Sequence, residues 1–348
     1  MGVEWKYCIF REKIVSLWII CIVMKSVVSI LFLLLTFVAC ERYESDDVEI
    51  NYSDEWEVDF SLASANSVVY NDTLYLLFGR SEGGSAENPS KNIYYAPMSD
   101  LSCFKQIDLP IDPRVNAATI LIGDKLYFGL GFRGLVYGSN SLLRDWWQYD
   151  FATHRLTRLA DFPTNDVLAP VIWNDGNFIY TLFGYNVGSS GVVYRYDILM
   201  DEWSIYSNKS APIPRADALS GVVDGVLYCG GGSSSYMKQD WWKYDWKKNT
   251  WSECAQLPRA ARVFASSVTI GNCIFVLGGR FFGGTETREH FFSTIILYDV
   301  LRDKWVDFGR MEKAGENMVA FEYDGDLYWG LGQSKDGEFI KKLYKKEL

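Results

Sequence analysis

The chain has 348 residues, with 44 acidic and 34 basic side chains, a formal net charge of −10 and an isoelectric point of about 4.9. This acidic balance argues against nucleic-acid binding, which needs a basic face. Hydrophobic residues make up 49% of the chain and aromatic residues 16%, enough for a large buried core.

Residues 1–40 have the pattern of a targeting segment. A mostly apolar stretch follows Lys25 and ends in Thr36-Phe37-Val38-Ala39-Cys40. A basic start, a short apolar run and a small residue before the break are features of a secretory signal. The last residues resemble a bacterial lipobox, which implies that Cys40 is lipidated and becomes the N-terminus. Met24 would then be a natural start, and residues 1–23 would come from a start codon placed too early.

A transmembrane anchor over residues 14–40 is the alternative interpretation, since the segment is long and mostly apolar. Lys25 interrupts that run and the cysteine falls at its end, which favours the lipoprotein. We therefore expect a lipid-anchored protein of a bacterial cell envelope, at the outer membrane and facing the periplasm or the cell surface. Residues 41–54 are acidic and poor in apolar side chains, so we expect a tether there.

A pattern that recurs about every 50 residues fills positions 55–348. An aromatic residue is followed four positions later by a glycine at Tyr75/Gly79, Tyr127/Gly131, Tyr180/Gly184, Tyr228/Gly232, Phe275/Gly279 and Tyr328/Gly332. A Tyr-Asp pair recurs at 149–150, 196–197, 244–245 and 298–299, followed seven positions after the tyrosine by Leu156, Trp203, Trp251 and Trp305. A repeat of this length predicts a β-propeller, an all-β fold.

Each copy is predicted to form a blade of four short antiparallel strands, and blades bury their faces by stacking in a ring. The glycines should allow turns with positive φ, and the aromatic residues should fill the space between blades. The Tyr-Asp aspartates should accept backbone N–H groups in the next turn. The six predicted blades cover residues 66–110, 116–162, 167–210, 217–257, 263–310, and 318–348 with 55–60.

The two ends of the repeat region complete each other. Residues 55–58 are similar to the outer strand at 202–205 but have no inner strands before them. Residues 342–345 look like a third strand with no outer strand after it. We therefore predict that the N-terminal strand around Trp56 closes the last blade and removes both sheet edges.

The double glycine, the Tyr-Asp pair and the late tryptophan resemble the kelch family, over nearly all of the chain after Asn51. The resemblance implies a six-bladed kelch propeller. Kelch propellers include the catalytic domain of galactose oxidase and bacterial mutarotases that act on sialic acid.

The residues for galactose-oxidase chemistry are missing from the sequence. Its copper site needs two histidines, but His154 and His290 are the chain's two histidines and fall on opposite predicted faces. We therefore expect no metal site, and no cofactor, because no phosphate loop or dinucleotide motif is present. Four cysteines lie in the repeats: Cys103, Cys229, Cys254 and Cys273. A Cys229–Cys273 disulfide would fit an oxidising compartment, but we expect buried free thiols, because strand cysteines pack as small hydrophobic residues.

Arginines gather in loops that the blade pattern puts on one face. Loops after the glycines begin with Arg80, Arg133 and Arg280, and the loops that enter the innermost strands carry Arg114, Arg215, Arg259 and Arg262. The guanidinium group suits carboxylates, so one interpretation is a ligand-binding mouth formed by Arg80, Arg133, Arg280, Arg114, Arg215 and Arg262. The other is that the arginines of the Pro-Arg pairs form structural ion pairs with neighbouring blades.

Two functions follow. The one we favour is a binding module that presents this face, at the central channel, to a glycan, an acidic sugar or a protein partner. The other is a cofactor-free isomerase acting on an acidic sugar such as sialic acid. An isomerase needs an acid–base pair near the axis, for which Asp217 and Glu316, and then Asp166, are the candidates.

Overall fold

The computed structural model describes residues 49–82, 89–134, 141–164, 167–184, 191–208, 212, 214–282 and 289–348. Throughout these ranges the regular secondary structure is β-strand, which confirms the predicted all-β class. None of them forms a helix that is long and apolar enough to cross a membrane. The predicted leader and most of the predicted tether lie outside the described residues.

Six four-stranded antiparallel sheets form the blades, as predicted. Blades 1 and 2 contain β2 (Asn66–Tyr70), β3 (Thr73–Leu77), β4 (Asn92–Pro97) and β5 (Lys105–Asp108), then β6 (Ala118–Ile122), β7 (Lys125–Gly129), β8 (Trp146–Asp150) and β9 (Arg155–Leu159). Blades 3 and 4 contain β10 (Val171–Asn174), β11 (Phe178–Leu182), β12 (Val193–Asp197) and β13 (Glu202–Ser207), then β14 (Leu219–Val223), β15 (Val226–Gly230), β16 (Trp241–Asp245) and β17 (Thr250–Cys254).

Blades 5 and 6 contain β18 (Ser266–Ile270), β19 (Cys273–Leu277), β22 (Thr294–Asp299) and β23 (Lys304–Arg310), then β25 (Val319–Tyr323), β26 (Asp326–Gly330), β28 (Lys342–Lys346) and β1 (Asp54–Glu57). Two short ladders lie above blades 5 and 6: β20 (Arg280–Phe282) with β21 (Glu289–Phe291), and β24 (Gly315–Glu316) with β27 (Gln333–Ser334).

The innermost strands contact one another around a ring, in the order β2, β6, β10, β14, β18, β25 and back to β2. The N-terminal strand β1 pairs with β28 as the outer strand of blade 6, with Trp56 opposite Leu343. The Trp56 ring also stacks near Tyr328, with centroids 6.3 Å apart. The first strand of the described residues thus pairs with the last blade.

The Tyr-Asp turns lie at the end of the blades opposite the glycines, and their predicted role is confirmed. Each aspartate Oδ1 accepts a backbone N–H, from Thr153 (2.9 Å), Met200 (3.0 Å), Lys248 (3.1 Å) or Arg302 (3.1 Å). Three of the tyrosine hydroxyls donate to Asp201 (2.7 Å), Asn249 (2.8 Å) and Asp303 (2.6 Å). In blade 2 the corresponding partner is His154, whose Nδ1 lies 3.2 Å from the Tyr149 hydroxyl. His154 is therefore a turn residue.

Tryptophans join neighbouring blades. Trp146 is fully buried and packs edge-to-face on Trp203 of the next blade, with centroids 5.4 Å apart. The Trp203 indole donates back to the Ala160 carbonyl at 3.1 Å. The same contacts recur between blades 4 and 5, where Trp241 packs on Trp305 and the Trp305 indole donates to Ala255 at 2.8 Å. Trp203 and Trp305 thus each add both packing and a hydrogen bond between blades.

The glycines bring two loops of each blade close together at the other end. Gly79 has φ +87°, and a Cβ there would lie 2.7 Å from the Ala63 carbonyl oxygen. Gly131 repeats this, at φ +89° and 2.6 Å from the Val115 oxygen. Only glycine fits, so the residues that follow the glycines lie beside the loops that enter the innermost strands.

Candidate functional site

The mouth of the central channel is lined by one residue from the entry loop of each blade. These six residues have φ between 49° and 55°: Ser64, Asn116, Ala169, Asp217, Phe264 and Asn317. They surround a cavity of about 330 Å³ with small and polar neighbours such as Asn66, Ser267 and Ala320. Asp217 is the one ionisable side chain among the described residues that line it. The mouth therefore offers neutral hydrogen-bonding groups around a single carboxyl.

An ion pair lies beside this mouth. The Nε of Arg280, on β20, is 2.9 Å from Oε2 of Glu316, on β24, and the Glu316 side chain is only 9% exposed. The Arg280 guanidinium carbon also lies 5.1 Å from the centroid of Phe264, in the channel lining. Blade 5 thus places an arginine, and blade 6 a carboxylate, next to the cavity.

Arg80 of blade 1 belongs to the same group of charges. Its Nη2 donates to Oε1 of Gln333, and its guanidinium carbon lies 5.7 Å from the Phe339 ring centroid. Burial lowers the Arg80 pKa; the Arg280 charge lowers it further and Glu316 opposes this. Gln333 was not among the predicted site residues, because a single glutamine carries no sequence signal.

Burial raises the pKa of Asp217 to about 6, the Glu316 charge raises it further, and Arg280 acts in the opposite direction. A carboxyl that titrates near neutral pH can both give and take a proton, as a general acid–base catalyst must. We call Asp217, Arg280, Glu316 and Arg80 the mouth cluster. Its members come from the consecutive blades 4, 5, 6 and 1.

Arg133 lies elsewhere. It lines a groove of about 720 Å³ with residues from blades 1 and 2, including Lys91, Arg144 and Trp147. Its Nη1 is 3.8 Å from Oδ2 of Asp112, and its side chain is 37% exposed. The structure therefore does not place Arg133 with the mouth cluster, and its role in ligand binding stays a prediction.

The other three predicted arginines, Arg114, Arg215 and Arg262, are buried inside the blades. Arg114 binds both carboxylate oxygens of Asp145 (2.9 and 2.7 Å), and Arg215 binds both of Asp240 (2.6 and 2.7 Å). Arg262 instead donates to Oγ1 (2.6 Å) and the carbonyl (3.0 Å) of Thr294. These contacts support the structural ion-pair interpretation for Arg114 and Arg215, and a structural role for Arg262.

Arg262, and not Arg259, is the blade 5 counterpart of Arg114 and Arg215. All three stand two residues before the entry residue with positive φ, and each Nη1 donates to a carbonyl at the end of the second strand: Leu130 (3.3 Å), Gly231 (3.1 Å) and Gly278 (3.1 Å). Arg259 pairs with Asp307 on the outer strand. The recurring Asp-Trp-Trp at 145–147 and 240–242 could have predicted the ion pairs from the sequence, because its aspartates are the partners of Arg114 and Arg215.

The remaining candidates have less bearing on the mouth. Asp166 and Cys40 lie outside the described residues. The four repeat cysteines are free: Cys229 is buried, Cys254 and Cys273 are partly exposed, and Cys103 is exposed. The expectation of buried thiols is therefore confirmed for Cys229 and wrong for Cys103, which lies between β4 and β5 and not on a strand. Burial lowers the pKa of His290, with smaller effects from Arg262 and Arg310. In the described ranges, no three His, Cys, Asp or Glu side chains are grouped so as to hold a metal ion.

Six four-stranded blades with these repeat residues define a kelch-type β-propeller. Residues 83–323 match the family model described as the Attractin/LZTR1 beta-propeller. This match covers more than half of the chain, so the protein belongs to that family of kelch-repeat propellers.

Curated relatives are similar over part of their length. The Kelch-like protein terF of Aspergillus terreus is 25% identical over 239 residues, which are 63% of this chain and 50% of that protein. Kelch domain-containing protein 3 of Rattus norvegicus is 27% identical over 243 residues, 62% of this chain and 63% of that protein. The chain thus matches between half and two thirds of each of these relatives.

A solved structure, titled "Structure of YjhT", has the same fold. It superposes with a TM-score of 0.67 at 16% sequence identity, over 82% of this chain and 94% of that one. At this identity the likeness concerns the fold alone.

Proposed function

We propose that this propeller is a binding module for a small acidic sugar, or for the carboxylate-bearing end of a glycan, at the mouth of its central channel. The observation that carries the proposal is the mouth cluster, in which Arg80 and Arg280 converge from different blades beside the polar cavity. A concave site with a few convergent polar groups is the usual form of a ligand site. A protein ligand with an exposed carboxylate would use the same face.

The charges fit an anion that is also rich in hydroxyl groups. Arg280 and Arg80 offer two guanidinium groups. Below about pH 6 Asp217 is protonated and Glu316 is the one carboxylate of the mouth cluster that faces them, so the cluster can then take up one more negative charge. The serine and asparagine side chains of the channel lining can bond sugar hydroxyls. Because rigid blades hold these loops, little conformational entropy should be lost on binding.

The test compares ligands that differ mainly in the carboxylate. Each ligand would be titrated separately into residues 41–348. Glucuronic acid is compared with glucose, and sialic acid is compared with its carboxyl-reduced form. We expect the acids to bind and the neutral partners to bind at least tenfold more weakly, from the loss of charge-assisted hydrogen bonds worth about 1.5–3 kcal/mol. Equal binding of acid and neutral sugar would contradict the proposal.

A second candidate function is anomer exchange on the same acidic sugar. It is favoured by Asp217, whose pKa of about 6 suits a group that both accepts and donates a proton at neutral pH. Exchange spectroscopy by NMR on a bound free acid separates the two functions. Acceleration that is lost in Asp217→Asn supports an isomerase, and tight binding without acceleration supports the module.

We also propose that Cys40 carries a lipid that holds the chain at a bacterial envelope membrane. The support is the sequence pattern of residues 24–40. Mass spectrometry of the native protein is the test. A lipidated N-terminal Cys40 is expected, and an intact, unlipidated Cys40 would rule the proposal out.

A further inference from the structure

Arg280 connects the channel mouth to an aromatic surface outside it. Its guanidinium carbon lies 4.2 Å from the ring centroid of Phe282 and 5.1 Å from that of Phe264. These two rings meet edge to face, with centroids 6.4 Å apart. Phe264 lines the channel, whereas Phe282 is 37% exposed. The aromatic surface is therefore continuous with the proposed carboxylate site.

A second exposed ring comes from the neighbouring blade. The backbone N–H of Phe282 donates to Sδ of Met237 at 3.1 Å, which ties the blade 5 ladder to the blade 4 loop. The adjacent residue, Tyr236, is 65% exposed. Isolated exposed apolar residues are ordinary, but these two rings lie on connected loops beside a candidate site.

The Tyr236 ring is supported by a buried lysine. Lys238 is only 5% exposed, and its Nζ lies 3.3 Å from the Tyr236 centroid. Its backbone N–H donates to the Gly232 carbonyl. In three other blades the residue that makes this same backbone hydrogen bond is buried and apolar: Leu143, Phe292 and Ile340. The ammonium group attracts the ring face. Tyr236 is thus held against Lys238 while most of its surface stays exposed.

We propose that Tyr236 and Phe282 form a second subsite, which packs against the sugar attached to the acidic one. One face of a pyranose ring presents C–H groups, and covering them with an aromatic ring buries apolar surface. This inference rests on the proposed function and narrows it: the ligand is the acidic end of a glycan of at least two sugars.

The subsite also bears on the choice between the two candidate functions. In a glycan the anomeric carbon of the acidic sugar is held in a glycosidic bond, so its ring cannot open and its anomers cannot exchange. A site built for the acidic end of a glycan binds it without isomerising it.

The experiment compares free sialic acid with the trisaccharide sialyl-lactose by calorimetry. The wild type should bind the trisaccharide about two- to tenfold more tightly, the range of one aromatic packing contact. Tyr236→Ala should remove this difference and leave the affinity for the free acid unchanged, because Tyr236 is not in the mouth cluster. Phe282→Tyr keeps a ring and should keep the difference.

Leu301→Ala is the matched control, because Leu301 is 71% exposed in the turn between β22 and β23, at the opposite end of blade 5. It should bind both sugars as the wild type does. If the wild type binds the acid and the trisaccharide equally well, the subsite is wrong and the proposed function stands. If neither sugar binds, both the subsite and the proposed function are wrong for sialic acid ligands.

Discussion

Asp217 and Glu316 lie on the entry loops of blades 4 and 6, on either side of blade 5, yet close enough for the charge of Glu316 to raise the pKa of Asp217. Burial is the larger cause, and together they raise that pKa to about 6 from 3.8. Burial, with the help of the Glu316 charge, thus keeps a proton on Asp217 at mildly acidic pH. Stability should depend on pH as a result.

The folded pKa of Asp217 is raised, so the folded state holds a proton between about pH 4 and 6 that the unfolded chain has lost. Stability should therefore fall as pH rises through this window, by at most about 3 kcal/mol. Urea unfolding of Asp217→Asn should show less of this loss than the wild type, and Glu316→Gln should show an intermediate loss. The same pH profile in wild type and Asp217→Asn would contradict the burial of this carboxyl.

Strand β1 is predicted to stabilise blade 6. Deleting residues 51–60 removes the four-residue pairing with β28 and the Trp56–Tyr328 contact. It also exposes the edge of β28 to solvent. We expect the melting temperature to fall by more than about 5 °C, since about 1 kcal/mol moves it by about 2–4 °C in domains somewhat smaller than this one. A deletion variant that melts within about a degree or two of the intact chain would show that β1 is dispensable.

The buried arginines should matter for stability and not for the ligand. Arg114→Met leaves the Asp145 carboxylate without its main partner, at an expected cost of about 3–5 kcal/mol. The double variant Arg114→Met/Asp145→Leu should recover part of this loss in urea unfolding. Arg133→Ala, at an exposed ion pair, should change stability by less than about 1 kcal/mol. A stable Arg114→Met variant that no longer binds the ligand would contradict this and show that Arg114 contributes to ligand binding.

His154 should be replaceable with a gain in stability. It has φ 54° in a turn where the other blades have Asp201, Asn249 and Asp303. Asparagine tolerates this conformation well and can accept the Tyr149 hydroxyl as Asn249 accepts that of Tyr244. His154→Asn should raise stability by up to about 1 kcal/mol, part of the roughly 1–2 kcal/mol that the left-handed conformation costs a residue. A lower melting temperature would mean that the imidazole contributes a contact that asparagine does not replace.

Much of the fold was predictable because the repeat encodes it locally. A glycine such as Gly79 and an aspartate such as Asp150 act on the next few residues, so their spacing alone located the turns. The arrangement of the arginines was harder to predict. Whether Arg114 turns inward depends on Asp145, which is 31 residues further along the chain. The proximity of Arg80 to Arg280 and Glu316 depends on how blades 5, 6 and 1 meet, which no local pattern records.

Calorimetric titration of an acidic sugar into wild type, Arg280→Ala and Arg133→Ala tests the central claim most directly. Arg280 lies in the mouth cluster and Arg133 lies outside it. We predict that Arg280→Ala weakens the binding of sialic acid by about ten- to a hundredfold, from the loss of one charge-assisted contact, and that Arg133→Ala binds as the wild type does. Unchanged affinity in Arg280→Ala and in Arg80→Ala would contradict the account and place the ligand away from the mouth cluster.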